Sequence, residues 1–135
     1  MDHNTFNIVS LPSVDSTNNY VKFFIDRNLS VDRPLVLTAK RQTAGKGRYG
    51  KSFFSPEGGL YMSYCFELSS EDELDYLNYI TPITAVLMRR AISRFVDDEV
   101  SIKWVNDIVI NDKKVGGILT EFEQTNIGSS FVIIG

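Results

Sequence analysis

Residues 38–52 read Thr-Ala-Lys-Arg-Gln-Thr-Ala-Gly-Lys-Gly-Arg-Tyr-Gly-Lys-Ser, a stretch rich in both glycine and basic side chains. It carries five of the 14 lysines and arginines in a chain whose net charge is −3. No acidic residue occurs between Asp32 and Glu57. Glycine lets backbone N–H groups approach an anion closely, and the cations would neutralise that anion. The segment therefore predicts a phosphate-binding loop, with a solvated basic turn as the alternative.

The same segment matches the P-loop pattern G-x-x-x-x-G-K-[ST] through four residues: Gly45, Gly50, Lys51 and Ser52. A P-loop is followed directly by a helix, whose N-terminus helps to hold the phosphates. Here residues 53–59 are typical of a turn, and Leu60–Leu68 then alternates in polarity like a strand. This context argues against a P-loop nucleotide hydrolase.

The composition is that of one globular domain with a substantial core, since 43% of the 135 residues are hydrophobic. No basic region followed by an apolar run opens the sequence, and no run is long enough to span a membrane, so we expect no signal peptide and no membrane partner. The negative net charge argues against a nucleic-acid partner. A single cysteine, Cys65, fits a cytoplasmic location, and a single histidine, His3, makes a zinc site unexpected.

Hydrophobic periodicity predicts an α+β fold, with a mixed or mainly antiparallel sheet and helices packed on one face. A helix is predicted over Thr17–Arg27, and a longer helical pattern covers Glu71–Val96. Within that pattern, Thr81-Pro82 predicts the start of the main helix. Cys65 is interpreted as a packed residue, because no histidine is available to activate its thiol. Strands are predicted at Phe6–Leu11, Leu35–Lys40, Leu60–Leu68, Val100–Trp104, Ile108–Ile110, Lys114–Glu123 and Ser129–Ile134.

Three motifs follow one another in an order and with a spacing that are typical of one enzyme family. They are Ser16-Thr17-Asn18, Gln42 to Gly50, and Lys103-Trp104-Val105-Asn106-Asp107 with Lys114 to Glu121. From about Ser16 to Gly135 the chain resembles the biotin protein ligases. The resemblance implies a class II synthetase-like biotin/lipoate ligase fold. It also implies that residues 1–135 are the N-terminal part of the catalytic domain.

The resemblance implies ATP-dependent attachment of biotin to a lysine of a biotin carrier protein, through a biotinyl-AMP intermediate and with Mg²⁺. The basic loop suits this chemistry, because an anionic carboxylate must approach an anionic triphosphate. An inactive fragment that binds biotin or self-associates without turnover is the alternative. A P-loop nucleotide hydrolase is a weaker one.

The family's functional positions can be matched residue by residue. Lys114 and Arg48 match catalytic positions. The matched biotin-binding residues are Ser16, Thr17, Asn18, Gln42, Gly45, Lys46, Gly47, Arg48, Lys114 and Gly117. The matched nucleotide-binding residues are Lys46, Arg48, Tyr49, Gly50, Phe53, Asn106 and Asp107. Asp107 is also the candidate ligand for Mg²⁺.

Several of these residues also have simpler structural interpretations. Ser16 could serve only as a helix cap, and Lys114 could lie in a solvated turn. Gly117, with its neighbour, could mark a β-bulge. Trp104 is interpreted as a core or packing residue rather than a platform for stacking a base.

The sequence departs from the family pattern at three motif positions. Val105 stands where the family usually has proline, Lys46 where it has arginine, and Phe53 where it has tryptophan. A lysine at position 46 loses bidentate contact with a phosphate, and the phenylalanine is expected to weaken packing around the adenine.

The family's later segments have no counterpart here. We therefore expect a chain truncated at its C-terminus, without the small C-terminal β-domain, and we expect no DNA-binding domain. Truncation after residues 129–134 would expose apolar surface there and favour a homodimer.

Overall fold

The computed structural model describes residues 6–27 and 33–135 of the chain. Its elements are β1 (Asn7–Leu11), α1 (Thr17–Asp26), β2 (Leu35–Ala39), β3 (Tyr61–Glu67), α2 (Leu77–Ile92), β4 (Val100–Lys103), β5 (Asp107–Ile110), β6 (Lys113–Gly117), β7 (Thr120–Gln124) and β8 (Ser130–Ile134). Short 3₁₀ turns lie at Arg48–Gly50 and Glu71–Tyr76. The chain divides into two compact units, a first of residues 1–69 and 120–135 and a second of residues 70–119. No helix in the described part of the chain is long and apolar enough to cross a membrane.

The first unit is built on a five-stranded sheet of order β1-β2-β3-β8-β7. β1 and β2 run parallel, and every other neighbouring pair runs antiparallel. β8 is an interior strand, and its residues Phe131, Val132 and Ile133 are buried. The prediction that residues 129–134 expose apolar surface is therefore wrong, because β3 and β7 pair with both edges of β8 and its side chains belong to the core.

Helix α1 covers one face of this sheet. Its side chains Val21 and Ile25, four residues apart, are fully buried and pack against Leu37 and Ile133. Cys65 lies in the same cluster, which confirms that it is a packed residue. Each buried aliphatic side chain contributes about 2 kcal/mol. This burial stabilises a ten-residue helix that would be marginal in isolation.

The second unit packs α2 against the antiparallel sheet β4-β5-β6. Ala85 is the buried residue of α2, and Met88 beside it is half-buried. The helix begins at Leu77, so the prediction that it begins at Thr81-Pro82 is wrong. Pro82 lies near the start of the helix, where its missing N–H removes a single intrahelical hydrogen bond. The α+β class with mixed, mainly antiparallel strands is confirmed, and the strands form two sheets with one helix against each.

The predicted strand Lys114–Glu123 is in fact two strands, β6 and β7, which belong to different sheets. The break falls at Ile118, whose N–H donates to the carbonyl of Asn106 at 2.9 Å. The side-chain amide of Asn106 donates back to the carbonyl of Ile118 at 3.2 Å. Ile118 is therefore held by the turn between β4 and β5 rather than by a continuous ladder.

Candidate active site

The first turn of α1 and the side chain of Gln42 form the centre of the first unit's polar site. Ser16 is the N-cap of α1, and its hydroxyl accepts a long hydrogen bond of 3.4 Å from the N–H of Asn19. Thr17 donates to Oε1 of Gln42 twice, through its N–H at 2.8 Å and its hydroxyl at 3.2 Å. The amide of Gln42 donates to Oγ of Ser55 at 2.9 Å. Ser16 is thus confirmed as the cap of α1, and it lies directly before the Thr17–Gln42 hydrogen bonds.

Backbone hydrogen bonds fix the segment that leaves Gln42. The N–H of Gln42 donates to the carbonyl of Ser55 at 3.0 Å, and the N–H of Thr43 donates to the carbonyl of Val14 at 2.8 Å. The N–H of Ala44 donates to the carbonyl of Asp15 at 2.8 Å. The loop is thus anchored on the residues that precede α1, so its position follows that of the helix.

Gly45 lies where no side chain fits. A Cβ atom there would collide with the carbonyl of Phe53 and the hydroxyl of Ser55, and would lie 2.9 Å from Nε2 of Gln42. Gly47 is different, because a Cβ there would meet only ordinary contacts, the nearest at 3.5 Å from the carbonyl of Lys51. Close backbone approach therefore requires glycine at position 45.

The tip of the loop carries the cations. The N–H of Gly47 donates to the carbonyl of Lys51 at 2.7 Å, which closes a tight turn. Tyr49 at the tip has a positive φ of 57° and is 89% exposed, and the guanidinium of Arg48 lies 5.4 Å from the centre of its ring. Lys46 donates to Oδ1 of Asn19 at 2.9 Å. This part of the loop presents positive charge to solvent at one end of the Thr17–Gln42 site.

The structure confirms that the segment is not a P-loop. After Ser52 the chain makes turns and bends until β3 begins at Tyr61, so no helix follows the lysine and serine of the pattern. Without that helix N-terminus, the segment lacks the dipole and N–H groups on which a P-loop depends.

The second unit contributes a separate cluster around Asp107 and Lys114. Nζ of Lys114 lies 2.8 Å from Oδ1 of Asp107. That oxygen is shielded from solvent, and within the described residues it receives no well-directed hydrogen bond, so charge pairing is its main compensation. An open cavity of about 420 Å³ adjoins the pair and also includes Lys103. Gly117, on β6, is paired in register with Asp107.

The predicted metal ligand has limited support from its surroundings. In the described ranges 6–27 and 33–135, no three histidine, cysteine or carboxylate side chains form a cluster that could hold a metal. Asp107 offers one carboxylate, already paired with Lys114. Mg²⁺ is often bound by one or two carboxylates together with substrate phosphates. These residues fit an ion brought in with a nucleotide rather than one held by the protein alone.

Within each unit, the predicted site residues lie close together. The first brings together Ser16, Thr17, Asn18, Gln42 and the loop from Gly45 to Gly50, with Phe53 half-buried beside it. The second brings together Asn106, Asp107, Lys114 and Gly117. The interpretation of Trp104 as a core residue is wrong, because 77% of it is exposed.

Three polar residues that contact the site were not predicted. Ser55 binds Gln42, while Ser63 and Glu121 bind Asn18. Their partners are 13, 45 and 103 residues away in the chain. Glu121 could have been found from its place at the end of the third motif. It lies on a predicted strand, where an isolated carboxylate needs a partner.

The buried thiol of Cys65 supplies a test of the first unit's core. Burial raises the pKa of Cys65 to about 12, and the thiolate, which is the reactive form, is scarce below that pH. We expect a thiol-specific reagent at pH 8 to label the native chain at least ~100-fold more slowly than the urea-unfolded chain. Each label reports this residue, because the sequence has one cysteine. Equal labelling rates in the two states would contradict the buried placement.

Comparison with known proteins agrees with the motifs and the fold. Residues 10–135 match the Biotin/lipoate A/B protein ligase family. The chain is 30% identical over 129 residues to the bifunctional ligase/repressor BirA of Escherichia coli, an alignment that covers 95% of this chain and 39% of BirA. It is 31% identical over 130 residues to BirA of Salmonella typhimurium, with 96% and 39% covered. The chain thus spans about 39% of the length of these relatives.

Two solved structures are similar in fold. The biotin protein ligase of Aquifex aeolicus in complex with biotin and ATP superposes with a TM-score of 0.71 at 32% identity, covering 95% of this chain and 50% of that one. The biotin protein ligase of Leishmania major in complex with biotinyl-5-AMP gives a TM-score of 0.71 at 27% identity, covering 96% and 56%. The family match over residues 10–135 and these folds lead to one conclusion: the chain belongs to the biotin/lipoate A/B protein ligase family.

Proposed function

We propose that the protein attaches biotin to a lysine of a biotin carrier protein, using ATP and a biotinyl-AMP intermediate. The observation that carries this proposal is the site at Thr17 and Gln42, which opens into a glycine loop bearing Lys46 and Arg48. Structures of similar proteins with biotin and ATP, or with biotinyl-5-AMP, support the choice of substrates. Since the chain spans about 39% of its curated relatives, the complete activity is proposed for the whole protein.

The polar groups around Thr17 suit a neutral cyclic urea such as that of biotin. A urea carries one carbonyl acceptor and two N–H donors, so it needs both kinds of partner in a small space. The hydroxyl of Ser16 can donate or accept, and that of Thr17, whose proton goes to Gln42, can accept. The amide of Gln42 keeps a second N–H besides the one that it donates to Ser55. In this proposal the three residues recognise the ring, while Gly45 and Gly47 allow the loop backbone to approach it.

The cations would act on the reacting phosphate. In the first step a carboxylate oxygen of biotin forms a bond to the α-phosphorus, and the bond from that phosphorus to the pyrophosphate oxygen breaks. Negative charge increases around the phosphorus during this exchange. Lys46 and Arg48 on the loop, and Lys114 in the second unit, would stabilise it. In the second step the ε-amine of the carrier lysine attacks the biotinyl carbonyl, AMP leaves, and the amine loses a proton.

Nucleotide binding is proposed for the residues that match the family's nucleotide positions. We assign Tyr49, Gly50 and Phe53 of the loop, with Asn106 and Asp107, to the nucleotide. Asp107 would contact Mg²⁺ that arrives with ATP. Its ion pair with Lys114 keeps that ammonium oriented before substrate binds, so an incoming phosphate would find the cation already in place.

The remaining assignments follow from the same proposal. A carrier protein with an exposed lysine is the macromolecular partner, and a cytoplasmic location fits the single cysteine. A homodimer is also proposed. The buried β8 gives it no support, so any such contact would involve another surface.

Pyrophosphate release by the 135-residue chain, with Mg²⁺-ATP present, tests the first step. We expect release that depends on biotin, because the carboxylate of biotin is the nucleophile. Release at the same rate without biotin would contradict the ligase proposal and indicate nucleotide hydrolysis. No release, together with biotin binding by calorimetry, would favour the alternative of binding without turnover. No release and no binding would contradict both.

A further inference from the structure

A partly buried polar chain connects the first turn of α1 to two strands of the sheet. Oδ1 of Asn18 accepts from the hydroxyl of Ser63 on β3 at 2.5 Å. Nδ2 of Asn18 donates to Oε2 of Glu121 on β7 at 2.9 Å. The other oxygen of Glu121 accepts from Lys22 on α1 at 2.8 Å. Asn18 and Ser63 are almost fully buried, so the bond between them is shielded from water, whereas Glu121 and Lys22 are partly exposed.

Asn18 reaches across β8 to make these contacts, because β8 lies between β3 and β7. It passes the backbone of Gly135, where any Cβ atom would collide with its side-chain oxygen. The side-chain amide is therefore confined by a strand end on one side and hydrogen-bonded at both of its polar atoms. This confinement leaves the side chain of Asn18 little conformational freedom.

Glu121 also decides which way the amide of Asn18 faces. The hydroxyl of Ser63 can donate or accept, so it would accommodate either orientation. A carboxylate only accepts, so it requires the NH₂ end of Asn18 to face it. The hydrogen bonds from Lys22 and Asn18 hold the pKa of Glu121 below its ordinary value although burial alone would raise it. At neutral pH, Glu121 therefore acts only as a hydrogen-bond acceptor in this polar chain.

We propose that Glu121 is a positioning residue for the biotin site: through Asn18 it fixes the first turn of α1, and with it the Thr17 groups that bind Gln42. The proposal rests on the assignment of that site to biotin. Glu121 itself acts through Asn18 and not on the substrate. Asn18, which the family resemblance placed among the biotin contacts, would serve the site by holding Thr17 in place.

Two conservative variants change different properties of this acceptor. Glu121→Asp keeps a carboxylate but withdraws it by one methylene, so it loses reach. Glu121→Gln keeps the reach but has a single oxygen, for which Lys22 and Asn18 compete, and its NH₂ group no longer requires one orientation of Asn18. The matched control is Glu123→Gln, because Glu123 approaches Lys22 at 3.5 Å and is the next acidic residue on β7. Positioning predicts that both substitutions at position 121 weaken the site and that the control does not.

Two readouts test the proposal, both on the 135-residue chain. The first is hydrogen exchange of the Thr17 amide, which donates to Gln42. The second is the Kd for biotin by calorimetry. For Glu121→Asp we expect Thr17 exchange and the biotin Kd each to rise by about tenfold, the effect of losing one partly buried hydrogen bond. For Glu121→Gln we expect both to rise by more than about threefold, and for Glu123→Gln we expect changes within about threefold.

The outcomes distinguish this proposal from the one on which it rests. If the unsubstituted chain binds no biotin, the biotin assignment fails, and Thr17 exchange alone then decides whether Glu121 positions the turn. If Glu121→Asp exchanges at Thr17 and binds biotin as the unsubstituted chain does, Glu121 has no positioning role. Losses in Glu123→Gln equal to those in Glu121→Asp would also overturn the proposal, since the effect would then belong to negative charge on β7 in general. Leu35→Val, in the core, serves as a variant that lowers stability without touching the polar chain.

Discussion

Lys114→Ala is expected to lower the rate of biotin-dependent pyrophosphate release by about 100-fold to 1,000-fold, the range for loss of one preorganised electrostatic donor. Lys114 is the ammonium that Asp107 holds at 2.8 Å. In the proposed reaction it offsets charge that grows on the α-phosphate, so its removal affects the transition state more than ground-state binding. Initial rates at saturating biotin and ATP measure this effect.

Lys113→Ala is the matched control, because Lys113 is the adjacent exposed lysine on the same strand. We expect its rate to stay within about twofold of the parent chain, since isolated surface charges contribute little. Circular dichroism should show both variants folded. Full activity in Lys114→Ala would refute the assigned role, and equal losses in the two variants would point to a general effect of positive charge on β6.

Gly45→Ala is expected to lower the free energy of unfolding by about 1–3 kcal/mol, as in other overpacked sites. The new Cβ would press on the carbonyl of Phe53 and the hydroxyl of Ser55, two groups that are hydrogen-bonded to each other at 2.9 Å. Ser55 holds Gln42, so the displacement would also disturb the hydrogen bonds to Thr17. Urea unfolding followed by circular dichroism provides the measurement.

Gly47→Ala is the stability control for this prediction. Its Cβ would meet only ordinary contacts, and Gly47 has an extended backbone that any residue adopts. We expect its free energy of unfolding to change by about 0.5 kcal/mol or less. A loss as large as that of Gly45→Ala would show that loop flexibility, rather than the lack of space at position 45, determines the effect.

Much of the fold could be predicted because its signals are local. α1 was predicted to within one residue, since a capping serine precedes a 3.6-residue periodicity that packs on the sheet. The short gap between the predicted strands Ile108–Ile110 and Lys114–Glu123 is a tight turn, where Asn111 and Asp112 have the positive φ values that such turns require. β3 alternates as expected, with Cys65 on its buried face.

The errors arose where distant contacts determined local structure. Residues 114–123 have an unbroken strand-like pattern, and the hydrogen bonds between Ile118 and Asn106 interrupt it. Pro82 suggested a helix start, whereas a 3₁₀ turn before Leu77 leads into the helix earlier. The interior place of β8 depends on pairing with β3, more than 60 residues away, and no local pattern encodes that choice.

The residues of the candidate site show the same contrast between local signals and distant contacts. Motif spacing identified Thr17, Gln42 and the loop, and these residues meet in the first unit as hydrogen-bonded neighbours. The groups that hold them were missed, because Ser63 and Glu121 come from strands far along the chain. A sequence motif indicates the residues that contact a ligand, but the supporting contacts depend on which strands become neighbours.

The pairing of β3 with β8 also determines the order in which the two units can fold during synthesis. Residues 70–119 are contiguous and make up the second unit, so they can fold as soon as they leave the ribosome. The first unit must wait for β8, because the strands β3 and β7 both pair with it. β1, β2 and β3 can pair with one another early, but β3 lacks its second partner until β8 is synthesised, and closing this long loop is an entropic cost of the final step.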